Sequence, residues 1–141
     1  MSTHYGSHVP YPLAEEELQE YREIFGKTPY YREAITYSIG EIQDYLERAR
    51  LCLIELGIED IEQQCVTFLP CISKDDQKLN VLLVPSYMAL KANENGMFKH
   101  MFKKRFGQMQ GTPGLPDPDN LFNDVPEEDL MNAYNTGSTA P

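Results

Sequence analysis

A chain of 141 residues that is 41% apolar, with nine tyrosines and six phenylalanines, has room for a single modest core. It contains no run of 18 apolar residues to cross a bilayer, and a formal charge of −10 disfavours double-stranded nucleic acid as a partner. Three cysteines argue against a disulfide-stapled secreted scaffold, and MSTHYGSHVPYP is not signal-like, so a cytoplasmic protein with reduced thiols is expected.

Residues 1–11 read as a flexible N-terminus, and a first helix is expected in PLAEEELQEYREIFG. Pro12 suits an opening turn, Glu15, Glu16 and Glu17 complement the positive end of the helix dipole, and Gly26 can close the helix in a left-handed cap. Leu18, Tyr21 and Phe25 fall on one face. KTPYYREAIT is ambiguous between a short helix and an extended connection; Tyr30, Tyr31 and Tyr37 could rim a groove with Arg32, although aromatic residues so placed more often pack. A longer helix is expected from Ser38, where Glu41 completes a capping-box pattern, to a stop at Gly57. Ile39, Ile42, Leu46, Ala49, Leu53 and Leu56 recur at steps of 3 and 4, which lays one apolar stripe along it. Leu51, Cys52 and Ile54 add apolar residues off the stripe, so this helix is expected to be central, with Cys52 in the core.

Gln64–Ile72 and Leu79–Tyr87 are two β-rich runs around the polar SKDDQK, the pattern of a hairpin. Asp75 and Asp76 read as turn formers rather than a metal pair. Pairing Ile72 with Leu79 makes one face wholly apolar, with Phe68 and Ile72 on the first strand and Leu83 and Pro85 on the second. That face is expected to lie under the long helix. Cys65 and Cys71 share the other face, roughly 20 Å apart along a strand, too far for a disulfide or a common metal. Thiol catalysis would need a neighbouring base, and His4, His8 and His100 are distant in sequence. No cofactor or metal is expected. Pro70 and Pro85 either blunt open edges or bend the hairpin.

The stretch NENGMFKHMFKKRFGQM runs against the overall charge: from Lys91 to Phe106 there are five bases and one acid. A basic amphipathic helix is expected there, with Phe98, Met101, Phe102 and Phe106 on one side, Arg105 adjoining, and Lys99, His100, Lys103 and Lys104 on the rest. Such a helix can bind acidic partners or rest on an anionic membrane, or pack its apolar side and leave the lysines solvated. Residues 107–141 hold six acids and no base, and Pro113, Pro116, Pro118 and Pro126 mark a largely disordered acidic tail. Within it Leu121, Phe122, Leu130 and Met131 form an apolar island that could fold back on the basic helix or meet another protein.

The order EYREIFG, ITYSIGEIQDYLERA, LNVLLVPSY, with Tyr21 and Arg22 on a short helix before a longer helix and a hairpin, resembles a group of small uncharacterised bacterial α+β proteins. The resemblance spans about Glu17 to Tyr87, departs in the cysteines and the acidic tail, and implies a fold but no activity. The expectation is therefore one α+β domain over residues 12–106, with two or three helices on a small antiparallel sheet. The function expected is a non-catalytic protein-interaction module, self-associating through its sheet or helix face. Its partner-facing residues would be Lys99, His100, Lys103, Lys104, Arg105, Leu121, Phe122, Leu130 and Met131. The competing reading is a small enzyme or ligand-binding domain, with a pocket between the long helix and the hairpin and Tyr37, Cys65, Cys71 or His100 as its reactive groups.

Overall fold

The computed structural model describes residues 7–89, 98–102, 119–131 and 138–140. Its elements are α1 (Tyr11–Phe25), β1 (Ala34–Thr36), α2 (Ile39–Glu55), β2 (Gln64–Ile72), β3 (Leu79–Met88), β4 (Phe98–His100) and β5 (Ser138–Ala140), with short 3-10 turns at Ile61–Gln63, Leu121–Asp124 and Glu127–Asp129. Strands β2, β3 and β4 form an antiparallel sheet with β3 in the middle, and β1 pairs antiparallel with β5. The fold is α+β, as the sequence pattern implies: two helices with a three-stranded antiparallel sheet. The chain divides into two compact units. One gathers residues 1–38, 70–81 and 135–141, the other residues 39–69 and 82–134. Each draws on residues outside the 12–106 span expected to fold.

In the first unit, α1 starts early enough that its first turn holds no acid; Glu15–Glu17 come later. None of its residues is buried. Tyr21, half-buried, fastens the helix: its hydroxyl donates to the Arg32 carbonyl at 2.8 Å, and its ring lies 5.4 Å from that of Tyr31. Gly26 is right-handed (φ −59°, ψ −25°) rather than left-handed. Glycine is needed there for a close approach instead, since a Cβ would run into the Arg22 carbonyl that accepts the Gly26 N–H. KTPYYREAIT is neither wholly helix nor wholly extended: Lys27–Tyr30 turn, with the Tyr31 N–H bonded to the Thr28 carbonyl at 3.3 Å, and the rest is extended and ends in β1. Arg32 within it is a clamp rather than the rim of a groove. It is 5% exposed, donates from Nε to the Leu79 carbonyl at 2.6 Å, and pairs with Asp76 at 2.5 Å. Asp76 also accepts the Lys78 N–H at 3.1 Å, which makes it the turn former expected.

In the second unit, α2 ends in a complete Schellman motif. Ile58 N–H bonds the Leu53 carbonyl and Gly57 N–H bonds the Ile54 carbonyl, both at 2.9 Å, around a left-handed Gly57 at φ +94°. The motif brings Ile58 and Leu53 together in the core, with Val84, Tyr87, Met101 and Phe122. The buried residues of α2 are Tyr45, Ala49 and Leu53; Ala49 and Leu53 belong to the expected stripe, and Tyr45 takes the place of Leu46. Ile39 stands 76% exposed and Leu46 38% exposed, because Tyr45 both fills space and donates its hydroxyl to the Leu83 carbonyl at 2.8 Å. Burial pushes the Tyr45 phenol up to about 12, with Cys52 adding to the shift.

Two further expectations are corrected by the sheet. Phe68 and Ile72 are 52% and 47% exposed, whereas Leu83 and Pro85 on β3 are fully buried. The apolar hairpin face is thus covered on the central strand and open on the outer one. Residues Phe98–His100 are a strand, not a helix: Ser86, Tyr87 and Met88 pair with His100, Lys99 and Phe98. The open edge of β3 there offers backbone partners that a helix would leave unused. Residues 91–97 and 103–106 of the expected basic helix lie outside the described residues.

Candidate interaction site

The chemistry-bearing side chains of the second unit serve its core. Lys99 is 2% exposed and His100 9% exposed, so neither faces outward, as a partner-facing role requires. His100 Nδ1 accepts the Phe102 N–H at 3.2 Å, and its carbonyl accepts from the Asn120 side chain at 2.8 Å. Asn120 in turn accepts the Phe122 N–H at 3.0 Å, and Leu121 N–H bonds the Tyr87 hydroxyl at 2.8 Å. The apolar island therefore docks within this unit. Phe122 is 1% exposed with its ring 6.2 Å from Tyr87, and Leu121 and Leu130 pack beside it. Met131 is half-buried. Lys103, Lys104 and Arg105 lie outside the described residues.

Cys65 belongs to the second unit, whereas Tyr37 and Cys71 belong to the first. Cys52, Cys65 and Cys71 are free thiols, and burial raises all three, with Glu55 adding to the effect at Cys52. A raised thiol is less ionised at neutral pH and so a poorer nucleophile. A part-buried hydroxyl pair that the sequence did not single out, Thr67 donating to Ser86 at 2.8 Å, links β2 to β3. Among the described residues there is no cluster of three metal-ligating side chains and no helix long and apolar enough to cross a membrane.

What this unit does offer is a groove of about 450 Å³ between α2 and the start of β2. Leu46, Ala49 and Leu53 form one wall and Ile61, Cys65 and Val66 the other. At its rim Glu47 and Arg50 pair at 3.3 Å, both side chains well exposed. Ile61, 70% exposed, and Phe68, 52% exposed, extend the apolar surface along the strand. The groove lies where the competing reading places a pocket, but aliphatic walls make up half of its lining, the polar residues being Gln43, Glu47, Arg50 and Gln64, and its one thiol is raised, so it suits apolar contact better than acid–base chemistry. Periodicity alone hides it, because it places Leu46 in the buried stripe; Tyr45, three residues after Ile42 and four before Ala49, is the residue that is buried instead. In comparisons with protein families, curated proteins and solved structures, the chain matches none.

Proposed function

We propose that this protein is an interaction module that pairs with a second copy of itself through the outer edge of β2, continuing the sheet from one copy to the next. One observation carries the reading. β2 is nine residues long, stands at the end of the described sheet order, and has no charged residue along QCVTFLPCI. Long uncharged edges are a liability that monomers blunt with lysine, proline or bulges; here the first proline, Pro70, falls near the far end.

The segment is also complementary to itself. In an antiparallel pairing centred on Thr67, Val66 of each copy lies opposite Phe68 of the other, and Cys65 opposite Leu69. The first is the aromatic–β-branched pairing that favours adjacent strands. Pro70 then falls opposite Gln64, the first residue of β2, so its missing N–H touches only the terminal pair. The isologous form is the commonest among homo-oligomers.

Light scattering of the purified full chain after gel filtration tests this. Twice the chain mass is expected, falling to the chain mass in Phe68→Lys. Because Phe68 is already half exposed, the monomeric variant should keep the circular dichroism spectrum of wild type. A wild-type monomer at about 100 µM, weaker than any useful self-association, overturns the proposal. So does a Phe68→Lys variant that stays dimeric.

A further inference from the structure

A helix in a folded protein usually owes its stability to a buried apolar face, yet α1, fifteen residues long, has no buried residue. Its apolar positions still follow a pattern. Tyr11, Ala14, Leu18, Tyr21 and Phe25 recur at alternating steps of 3 and 4, the spacing of a helix–helix seam. Only part of that seam is used within the unit: Ala14 and Tyr21 are half-buried, whereas Tyr11, Leu18 and Phe25 are 78%, 54% and 48% exposed. Exposed aromatic and aliphatic residues in a single row mark a contact surface better than scattered ones.

The charges beside the seam say what kind of partner fits. In heptad terms Glu15 and Glu17 flank the apolar row, and Glu16, Glu20 and Glu23 follow around the helix. The lone base, Arg22, is engaged with Glu33 at 3.2 Å. A second α1 would bring carboxylates against carboxylates, and an anionic membrane would repel the same face. We propose that the exposed side of α1 docks a basic amphipathic helix of another protein, its apolar row against Tyr11, Leu18 and Phe25 and its lysines or arginines against Glu15 and Glu17. This surface is separate from the β2 edge and does not depend on self-association.

The test uses the full chain and two synthetic helical peptides of about 21 residues, three heptads. Both carry leucine at the seam positions, one with lysine at the flanking positions and the other with glutamate. Fluorescence anisotropy should show binding of the lysine peptide and at least about tenfold weaker binding of the glutamate peptide. Leu18→Lys should weaken the lysine peptide by about tenfold or more, while Ile39→Lys, at an exposed apolar residue of α2, should leave it unchanged. The doubly reversed Glu15→Lys, Glu17→Lys chain should exchange the preference, an outcome that non-specific attraction to an acidic protein cannot give. Circular dichroism of each variant, compared with wild type, separates lost docking from lost folding. Equal binding of both peptides, or indifference to Leu18→Lys, overturns the proposal. It is also overturned if anionic vesicles bind and the lysine peptide does not. Tighter peptide binding after Lys103→Glu, Lys104→Glu and Arg105→Glu together would overturn it in another way, by showing that the chain's own basic stretch competes for α1.

Discussion

Gly26 and Gly57 follow the two helices and are required for opposite reasons. At Gly57 a Cβ would meet nothing within 4 Å, but the backbone sits at φ +94°, a region that costs an L-residue about 1–2 kcal/mol. Gly57→Ala should therefore lower the urea midpoint by that energy with an unchanged slope, and Gly57→Asn, which tolerates such angles better, should recover part of it. Equal destabilisation by both would point to packing instead of backbone geometry. At Gly26 the angles are ordinary and the obstacle is the Arg22 carbonyl, so asparagine should give no relief there. A helix-ending glycine is plain in a sequence; which of these two constraints it meets depends on the path of the chain beyond it.

At the scale of elements, the turn containing Phe122 is part of the core, though it follows a proline-rich stretch. Phe122→Ala should cost about 3–5 kcal/mol, the range for removing a buried phenylalanine, read as a fall in thermal midpoint. A loss below about 1 kcal/mol would mean that the turn is peripheral. How much of this was legible follows from the range of each interaction. The α2 boundaries, the hairpin and the turn at Asp76 depend on contacts within a few residues, and Ser38, Gly57 and SKDDQK announce them. The apolar island was legible as such, because Leu121, Phe122 and Leu130 stand out among acids. That it docks beside Tyr87 was not, since the bonds from Asn120 and Leu121 reach across 20 and 34 residues. The strand at Phe98–His100 was misread for the same reason. Its residues suit a helix equally well, and only the edge of β3 decides between the two. The groove was hidden by a one-residue error in the face of α2, and the exposed row on α1 by the ordinary assumption that an apolar row is buried.

For the molecule as a whole, pH dependence enters through the first unit. The hydrogen bond from Arg32 holds the Asp76 carboxyl below its usual value, with the Lys78 N–H and both nearby positive charges assisting against desolvation. A lowered native value means that ionised Asp76 stabilises the fold above the unfolded carboxylate value of about 3.9, and that this contribution is lost as pH falls through the lower native value. Wild type should therefore melt above Asp76→Asn near about pH 6, and the two should converge toward about pH 2. Equal midpoints across that range would remove the Arg32 clamp from the account of stability. A last consequence concerns the order in which the chain is made. β1 leaves the ribosome about a hundred residues ahead of β5, its partner in the ladder, an interval of about 5–20 seconds at ordinary rates of synthesis. The second unit gains its last strand, β4, within that interval, but its Phe122 turn follows only shortly before β5, so neither unit has all its parts until the final stretch emerges. Nascent chains should thus stay protease-sensitive until nearly the whole sequence has emerged, with β1 bare to chaperones meanwhile.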